Sequence, residues 1–453
     1  MVAKISGTLW TKVRGFNFVC NNIPRRAGAS SGVPSRGSVA FIRRLSLDSA
    51  RDGSRDGELV EPKPENFCRG IKKSVIISCI IFLGCVSSLS ASSVRPVYKP
   101  RYVRIAIIRD SPSFSLSVNS PFSIFDSNSG AMLYRANALK EAKVCVSDSK
   151  IKIDDANFEL TRLKITPDTE GAIQINGRWF RGLIEVIIKK ENKLLVVNIL
   201  DLEDYIKGVL YHEVSHFWPM EALKAQAVVS RTYALSQVKN SKDLDYDLTT
   251  DFFTQMYGGR TSEKFRTNVA VNQTIGQILN YQNQIFPTYY HATCGGHTED
   301  AANLWNIKLR PLEGVGCDFC QNSPHFKWQN KISLEKVSKQ LTEKGFKIGK
   351  IMDIKVKEKN SSGRISKLEL IGSNGKVSIT GKDFRLMLGP NLIRSTNFDV
   401  KIENGLADFS GFGWGHGVGL CQWGAYFMSK EGKSYKEILQ YYYPGSELKR
   451  LKD

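Results

Sequence analysis

One carboxyl group in this sequence, that of Glu213, lies in surroundings that would alter its chemistry. His212, His216, Phe217 and Trp218 flank it. Aromatic rings keep water away from a neighbouring carboxyl, which disfavours the ionised form and raises the pKa, so the group can donate a proton near neutral pH. The predicted chemistry is general acid catalysis. An ordinary surface acid near a helix end would have the same neighbours, and the local residues leave both interpretations open.

Two predicted helices must position this carboxyl. Apolar residues at helical spacing predict a helix over 201–211. Trp218-Pro219 interrupts it, because the residue before a proline is pushed out of the helical region, and the proline suits the first turn of a second helix. That helix is alanine-rich over 222–235 and can pack closely against its neighbours. Lys224 and Arg231 are seven residues apart and therefore share one of its faces.

A second group of residues has the spacing of a metal site. Cys294 and His297 form a CxxH pair, which precedes the CxxC pair of Cys317 and Cys320. Four such ligands match a zinc pattern and close the coordination sphere, so the predicted zinc is structural rather than catalytic. His291 precedes Cys294 by three residues and could replace one of the cysteines as a ligand. A disulfide between Cys317 and Cys320 is the alternative in an oxidising compartment.

The first part of the chain has the composition of a targeting region. Residues 1–70 are basic, rich in Ser and Gly, and resemble a transit peptide or translated sequence upstream of the true start; we favour the second interpretation. Residues 71–95 combine basic residues, a short apolar run and a small-residue end, which predicts a signal peptide. An uncleaved anchor over 74–90 and a lipoprotein cleavage at Cys85 are the alternatives. The body is therefore expected in the periplasm or cell envelope, touching the membrane only through this segment.

The charge balance favours an anionic partner. The 453 residues contain 64 Lys and Arg against 44 Asp and Glu, a net charge of +20. Cell-wall polymer, a membrane surface and nucleic acid would all suit this charge. A zinc-stabilised nucleic-acid binder is one interpretation of basic charge with Cys and His. The sequence has no Walker loop, dinucleotide fingerprint or RNA-recognition motif, so we expect no nucleic-acid partner.

The order of predicted elements indicates an α+β protein. Short strands rich in β-branched residues predict a β-rich N-terminal lobe over 100–200, including a hairpin with its turn near Lys189. A helical core with the catalytic cleft is expected over 201–300. A smaller inserted α+β lobe is predicted over 301–404, with a helix capped by Ser333. Residues 405–453 should return to the core.

Three stretches together resemble a known family. They are LEDYIKGVLYHEVSHFWPMEALKAQAVVSRTYAL, TDFFTQMYGGR (250–260) and YYHATCGGHTED (289–300). They resemble the stage II sporulation protein D family, which includes the amidase enhancers, and the resemblance runs over about 101–445. It implies peptidoglycan binding, and a lytic transglycosylase that cleaves MurNAc–GlcNAc strands to 1,6-anhydro products with Glu213 as the general acid and base. The alternative it leaves open is a non-catalytic module that binds peptidoglycan and stimulates a partner amidase.

The same resemblance implies a set of substrate-binding side chains around Glu213. They are Lys224, Arg231, Gln255, Tyr257, His291, Thr293, Trp414, His416 and Gln422. A glycine-rich loop surrounds Trp414 and His416, which suggests close backbone packing beneath a binding surface. A buried ion pair is an equal candidate role for Arg231. Some zinc-binding relatives share the HxxCxxH pattern that begins at His291.

Overall fold

A computed structural model describes residues 101–242, 244–251 and 254–451. The described residues belong to one compact unit, Ala91–Asp453. The predicted leader (1–70) and signal segment (71–95) lie outside the described residues. Within the described ranges, no helix combines the length and the apolar composition that crossing a membrane requires.

Residues 102–201 form strands almost throughout, as the density of β-branched residues predicted. The strands are β1 (Tyr102–Ser111), β2 (Ser113–Val118), β3 (Phe122–Asp126), β4 (Met132–Ala136), β5 (Leu139–Ser147), β6 (Lys150–Ile153), β7 (Ala156–Phe158), β8 (Arg162–Pro167), β9 (Ile173–Ile175), β10 (Arg178–Phe180), β11 (Leu183–Lys189) and β12 (Lys193–Asp201). The predicted hairpin is confirmed as β11 and β12. Its turn contains Glu191 and Asn192, both in the left-handed region, with φ of 59° and 51°.

This region forms two sheets whose buried side chains pack into one apolar cluster. A seven-stranded sheet has the order β13-β1-β12-β11-β8-β3-β4, where β13 is the short strand Leu248–Thr249, and a six-stranded sheet has the order β10-β9-β2-β5-β6-β7. Val103 and Val186 of the first sheet and Leu116 and Val144 of the second belong to one apolar cluster. Burial of apolar surface between the sheets therefore holds this part of the chain together.

Two helices follow, and the chain breaks between them. They are α1 (Leu202–Glu213) and α2 (Met220–Asn240). The Asp201 carboxylate accepts a hydrogen bond from the Glu203 N–H and caps α1. Val214 is extended, with φ of −142°, and ends the helix. Pro219 stands at the N-cap of α2 rather than in its first turn, so the predicted break is confirmed with the second helix beginning one residue later.

The next elements are short, and a separate α+β segment follows them. The short elements are α3 (Phe265–Gln273), β14 (Gln277–Asn280), β15 (Tyr290–His291) and α4 (Ala301–Trp305). The segment contains β16 (Lys327–Ser333), α5 (Leu334–Glu343), β17 (Ile351–Lys359), β18 (Ile365–Gly372), β19 (Gly375–Thr380), α6 (Gly381–Leu388), β20 (Phe398–Glu403) and β21 (Leu406–Phe412). Ser333 caps α5 as predicted, with its hydroxyl accepting from the Lys336 N–H. The segment has its own apolar cluster, which includes Trp328 and Phe398.

The end of the chain pairs with strands that lie far back in the sequence. It contains β22 (Leu420–Cys421), α7 (Gln422–Lys430), α8 (Tyr435–Tyr442) and β23 (Glu447–Arg450). β22 runs parallel to β15, and β23 runs antiparallel to β14. In contrast, β21 pairs within its own α+β segment, with β16 on one side and β20 on the other. The fold is therefore a mixed α+β structure with several sheets, as the sequence predicted.

A buried ion pair joins α1 to α2. The Arg231 guanidinium donates from Nε and Nη2 to the two carboxylate oxygens of Glu203, at 2.8 and 2.7 Å. Its Nη1 donates to the Gln277 carbonyl at 2.9 Å, and the Gly276 N–H donates to Glu203 at 2.9 Å. Arg231 is fully buried. It therefore has the structural role that the sequence left open for it and lies out of reach of a substrate in this structure.

Removing one partner of this pair leaves the other charge buried and unpaired. We expect Arg231→Met to lower the free energy of unfolding by about 3–5 kcal/mol, and the double variant with Glu203→Leu to recover a large part of the loss. Urea unfolding at pH 7 measures both. An Arg231→Met protein with unchanged stability would contradict this account.

Candidate active site and cysteine cluster

Glu213 is the last residue of α1, and three groups from distant parts of the chain hold it. Its carboxylate accepts from the Met256 N–H at 3.2 Å and from the Tyr290 hydroxyl. Its backbone carbonyl accepts from the Gln422 amide at 3.2 Å. The helix break frees this carbonyl from the α1 ladder, so a side chain can take it. Both ends of the residue are therefore fixed.

Burial raises the pKa of Glu213 to about 7, and the hydrogen bonds from Tyr290 and the Met256 N–H partly oppose the increase. This confirms the predicted shift and its physical cause. The neighbouring residues differ in part from those expected. Phe217 is 78% exposed. Burial raises the pKa values of the nearby Tyr205, Tyr233 and Tyr290, and the charge of Glu213 adds to each increase.

A hydrogen-bond path beneath the carboxyl runs through Gln255. Its Nε2 donates to the Tyr290 hydroxyl at 3.2 Å and to the Ser230 carbonyl at 3.4 Å. Its Oε1 accepts from the Tyr205 hydroxyl at 3.1 Å. Gln255 is buried. It therefore orients the tyrosine that donates to Glu213 and does not itself point into an open cleft.

A second hydrogen-bond path runs from Gln422 to Ser230, the serine whose carbonyl accepts from Gln255. Gln422 donates to Gln226 at 3.4 Å, and Gln226 donates to the Ser230 hydroxyl at 3.1 Å. Together the two paths connect the carboxyl of Glu213, through Tyr290, Gln255 and α2, with its own backbone carbonyl. A shift of α2 would therefore disturb both ends of the residue.

A row of aromatic rings extends from the helix break. We define the aromatic row as Trp218, Trp423, His325 and Trp414. Successive ring centroids in this order are 5.1, 6.1 and 4.8 Å apart. Tyr426 also contacts Trp218 at 5.2 Å. Successive rings meet edge to face, at 61°, 75° and 86°. All four side chains are partly exposed, and because aromatic rings pack against sugars, the row is a candidate glycan surface. Trp414 was predicted here, and His325 was not, because nothing in its local sequence distinguishes it.

The other predicted substrate-binding residues lie in varied surroundings. Lys224 forms an ion pair with Glu221 at 2.7 Å and lies 5.7 Å from the centre of the Tyr435 ring. Tyr257 is buried, and its hydroxyl donates to Asn198 at 2.7 Å. Tyr257 therefore packs in the core, against the expectation that its side chain lines the cleft.

His291, Thr293 and His416 support the glycine-rich loop around Trp414. His291 is buried, and its Nδ1–H donates to the Val418 carbonyl at 3.1 Å. Thr293 is buried and pairs through its backbone with Trp414. Burial, with the positive charges of two arginines, lowers the pKa of His416 to about 3, so this imidazole is neutral. A Cβ on Gly415 would come within 2.6 Å of the His291 Cβ, so this position requires glycine.

Four buried thiols gather beside this loop. They belong to Cys294, Cys317, Cys320 and Cys421, and their sulfur atoms all lie within 4.8 Å of one another. All four cysteines are free, so the alternative of a Cys317–Cys320 disulfide is not formed. The cluster can hold a metal ion.

His297 is not the fourth member of this cluster, and here the predicted ligand set is corrected. Its Nδ1–H donates to the Thr298 carbonyl instead. Cys421 takes the place because the parallel pairing of β15 with β22 brings it beside Cys294. Nothing in the local sequence marked Cys421 as a ligand, since the pairing partner lies more than a hundred residues away. His291 is likewise not among the four residues of the cluster, and its Nδ1–H donates to the Val418 carbonyl.

The geometry of the thiols fits a tetrahedral ion. Zinc–sulfur bonds of about 2.3 Å place the sulfurs of a tetrahedral site roughly 3.8 Å apart. The Cys421 sulfur also accepts from the N–H groups of Cys294 and Gly424, both at 3.3 Å. Such donors stabilise a metal-bound thiolate. The donor set therefore suits zinc better than a harder ion that prefers oxygen ligands.

The chain resembles known proteins over most of the described residues. Residues 190–281 match the model of the stage II sporulation protein family, and residues 300–419 match a domain of unknown function (DUF8618). The chain is 32% identical over 348 residues to an uncharacterized protein of Brachyspira hyodysenteriae, covering 76% of this chain and 92% of that protein. It is 31% identical over 313 residues to stage II sporulation protein D of Bacillus subtilis, covering 64% and 85% respectively.

The amidase enhancer of Bacillus subtilis is 26% identical over 358 residues, which is 67% of this chain and 49% of that protein. The chain therefore spans about half of that relative. The chain belongs to the stage II sporulation protein D family, whose members implicate it in peptidoglycan remodelling.

The raised pKa of Glu213 makes stability depend on pH. The folded pKa of about 7 lies above the ordinary glutamate value of 4.5, so the folded state favours the protonated carboxyl. This contribution is present at low pH and is lost as pH rises through 7. We expect Glu213→Gln to match the wild type at pH 4 and to exceed it at pH 8 by up to about 3 kcal/mol.

Chemical unfolding at a series of pH values measures this difference. The same substitution at the exposed Glu335 controls for the loss of one charge. A difference between Glu213→Gln and wild type that stays constant from pH 4 to pH 8 would show that the carboxyl has an ordinary pKa.

Proposed function

We propose that this protein is a lytic transglycosylase that cleaves the bond between N-acetylmuramic acid and N-acetylglucosamine in peptidoglycan. The observation that supports it most directly is the carboxyl of Glu213, fixed at a helix break with a pKa near 7. A group with this pKa is partly protonated at neutral pH and can serve as an acid and then as a base.

The chemistry needs only this one carboxyl. Glu213 donates its proton to the glycosidic oxygen as the bond from that oxygen to the muramic C1 breaks. The muramic C6 hydroxyl then attacks C1, and its proton passes to the Glu213 carboxylate. A 1,6-anhydro sugar forms, the carboxyl is restored, and no water is consumed.

The surroundings of Glu213 favour this route over hydrolysis. Conventional glycosidases use a second carboxylate, which acts as nucleophile or activates water. Among the described residues, the groups that shift the pKa of Glu213 include no other carboxylate; the hydrogen bonds come from Tyr290 and the Met256 N–H. The Tyr290 hydroxyl is well placed to stabilise the carboxylate after the first proton transfer.

The second candidate is a module that binds peptidoglycan and stimulates an amidase without cleaving glycan itself. Its support is the similarity to the amidase enhancer, of which the chain spans about half. Such a module needs a glycan surface, which the aromatic row would supply, but it does not need a carboxyl with a raised pKa. Glu213 therefore favours the enzyme. Either function requires export, in line with the signal segment predicted from the sequence.

Release of anhydro products tests the enzyme. Incubating the protein, with no amidase present, with glycan strands that carry or lack stem peptides should yield 1,6-anhydro sugars detectable by mass spectrometry. Glu213→Gln keeps the shape and removes the acid, so we expect at least a hundredfold lower rate. The rate should also fall above pH 7 as the acid form is lost.

Glu335→Gln should cleave at the wild-type rate, because that side chain is exposed on α5. Anhydro products from Glu213→Gln at the wild-type rate would contradict the mechanism. An absence of products from the wild type, together with stimulation of an added amidase, would establish the second candidate instead.

We also propose that the four thiols hold a structural zinc ion. Four protein ligands leave no open position, so the metal would supply no chemistry to the reaction and would fix the Cys294 loop against the start of α7. Gln422 directly follows the ligand Cys421 and holds the Glu213 carbonyl. The metal would thus set the position of a group that contacts the active-site residue.

Metal analysis of two single variants tests this ligand set. The purified protein should contain one zinc per chain. Cys421→Ser should reduce the zinc content and lower the melting temperature, whereas His297→Ala should keep the zinc content and the melting temperature of the wild type. Zinc lost from His297→Ala and kept by Cys421→Ser would restore the ligand set first predicted from the sequence.

A further inference from the structure

Arg394 has an unusual environment for a charged side chain. Its guanidinium carbon lies 4.7 Å from the centre of the Trp414 ring, at the end of the aromatic row. Its Nε is buried and has no hydrogen-bond partner. No ion pair is formed by Arg394 within the described ranges. The positive charge therefore rests on an aromatic face with unused hydrogen-bonding capacity.

A second arginine contacts the backbone of the first. The Nε of Arg385, on α6, donates to the Arg394 carbonyl at 3.2 Å. In the part of the chain that the structure describes, no carboxylate pairs with Arg385 either. Burial and the positive charge of Arg364 lower the pKa of Arg385 to about 10. We name Arg385 and Arg394 the arginine pair; its charge is uncompensated.

A histidine and a third arginine lie near the pair. His325 contacts the edge of the Trp414 ring, with centroids 4.8 Å apart and planes at 86°. Burial and the charge of Arg394 lower the pKa of His325. Arg364 donates from its two terminal nitrogens to the carbonyls of His297 and Cys294. The carboxylate near Arg364 is that of Glu299, which is buried and accepts hydrogen bonds from Asn303, Asn360 and Ser362. It is therefore already held by neutral donors when an anion arrives at the pair.

The arginine pair is connected to the active-site acid by the aromatic row. The row begins at Trp218, in the segment that follows Glu213, and ends at Trp414 under Arg394. The pair comes from α6 and the loop after it, inside the region that matches the domain of unknown function. That region thus contributes positive charge at one end of a surface whose other end adjoins the reacting carboxyl.

We propose that Arg385 and Arg394 form a subsite for a carboxylate of the glycan substrate, with sugar rings stacked along the aromatic row. This rests on the proposed function. A guanidinium binds a carboxylate through two parallel N–H donors, and a partly buried unpaired charge gains most from such a partner. Peptidoglycan offers this group in two places: the lactyl carboxylate of muramic acid without its stem peptide, and the carboxylates of the stem peptide itself.

Binding measurements with three forms of glycan test the subsite. All proteins carry Glu213→Gln, so that binding is measured without cleavage. The ligands are strands stripped of stem peptides, the same strands with their lactyl carboxylates converted to neutral methylamides, and strands with intact stem peptides. We expect Arg394→Gln to weaken binding of a carboxylate-bearing form roughly tenfold and to leave the neutral form unchanged.

The form that responds identifies the source of the carboxylate. Loss on stripped strands assigns the lactyl group, and loss on peptide-bearing strands alone assigns the stem peptide; both support the subsite. Arg450 is exposed at the end of β23. Arg450→Gln therefore removes one positive charge elsewhere and should leave binding of all three forms unchanged. Arg394→Lys should recover only part of the affinity, because an ammonium cannot donate in a planar fork.

Equal loss on neutral and charged strands would overturn the proposal, since Arg394 would then only support Trp414. The result is separable from the fate of the proposed function. A wild-type protein that releases no anhydro sugars but distinguishes charged from neutral strands keeps the subsite and loses the enzyme. A wild-type protein that cleaves glycan but binds charged and neutral strands equally keeps the enzyme and loses the subsite.

Discussion

Burial of the Glu213 carboxyl without a counter-charge is the constraint on which the site depends. An arginine or lysine beside this carboxyl would lower its pKa and keep it ionised. The protein instead supplies neutral donors, the Tyr290 hydroxyl and the Met256 N–H. The positively charged Arg231 lies on α2, the next helix, where it forms a buried ion pair with Glu203. Its charge is therefore neutralised within the core.

The same separation of charge extends across the described residues. The fully buried Arg231 and Arg364 have carboxylate or carbonyl partners, while Arg394 lies over the Trp414 ring and forms no ion pair with a carboxylate among the described residues. The acid and the pair are thus kept at opposite ends of the aromatic row. This arrangement suits a substrate with neutral sugar rings and occasional carboxylates, because each part of it would meet a different kind of surface.

Local patterns in the sequence predicted much of the fold. The β11–β12 hairpin, the break at Pro219 and the cap of α5 each depend on a few adjacent residues, and they were correctly located. The raised pKa of Glu213 was also foreseen. The identity of its hydrogen-bond donors was not, because Tyr290 reaches the carboxyl only through the pairing of β15 with β22.

Long-range pairing explains the remaining differences as well. Cys421 replaced His297 in the thiol cluster because strand pairing, and not sequence spacing, decides which sulfur faces Cys294. Tyr257 was expected in the cleft from the resemblance of its motif, yet Asn198 of β12 holds its hydroxyl in the core. A motif identifies residues that occur together, whereas burial decides which of them a substrate can touch.

The bond from Gln422 to the Glu213 carbonyl spans 209 residues of sequence. A growing polypeptide therefore displays Glu213 long before the ribosome has added the amide that fixes it, and Cys421 is equally late to arrive. Synthesis must pass residue 422 before the acid is held in place. A nascent or truncated chain that lacks Gln422 would lack this contact, and under the proposed function its acid would not yet be held for glycan cleavage.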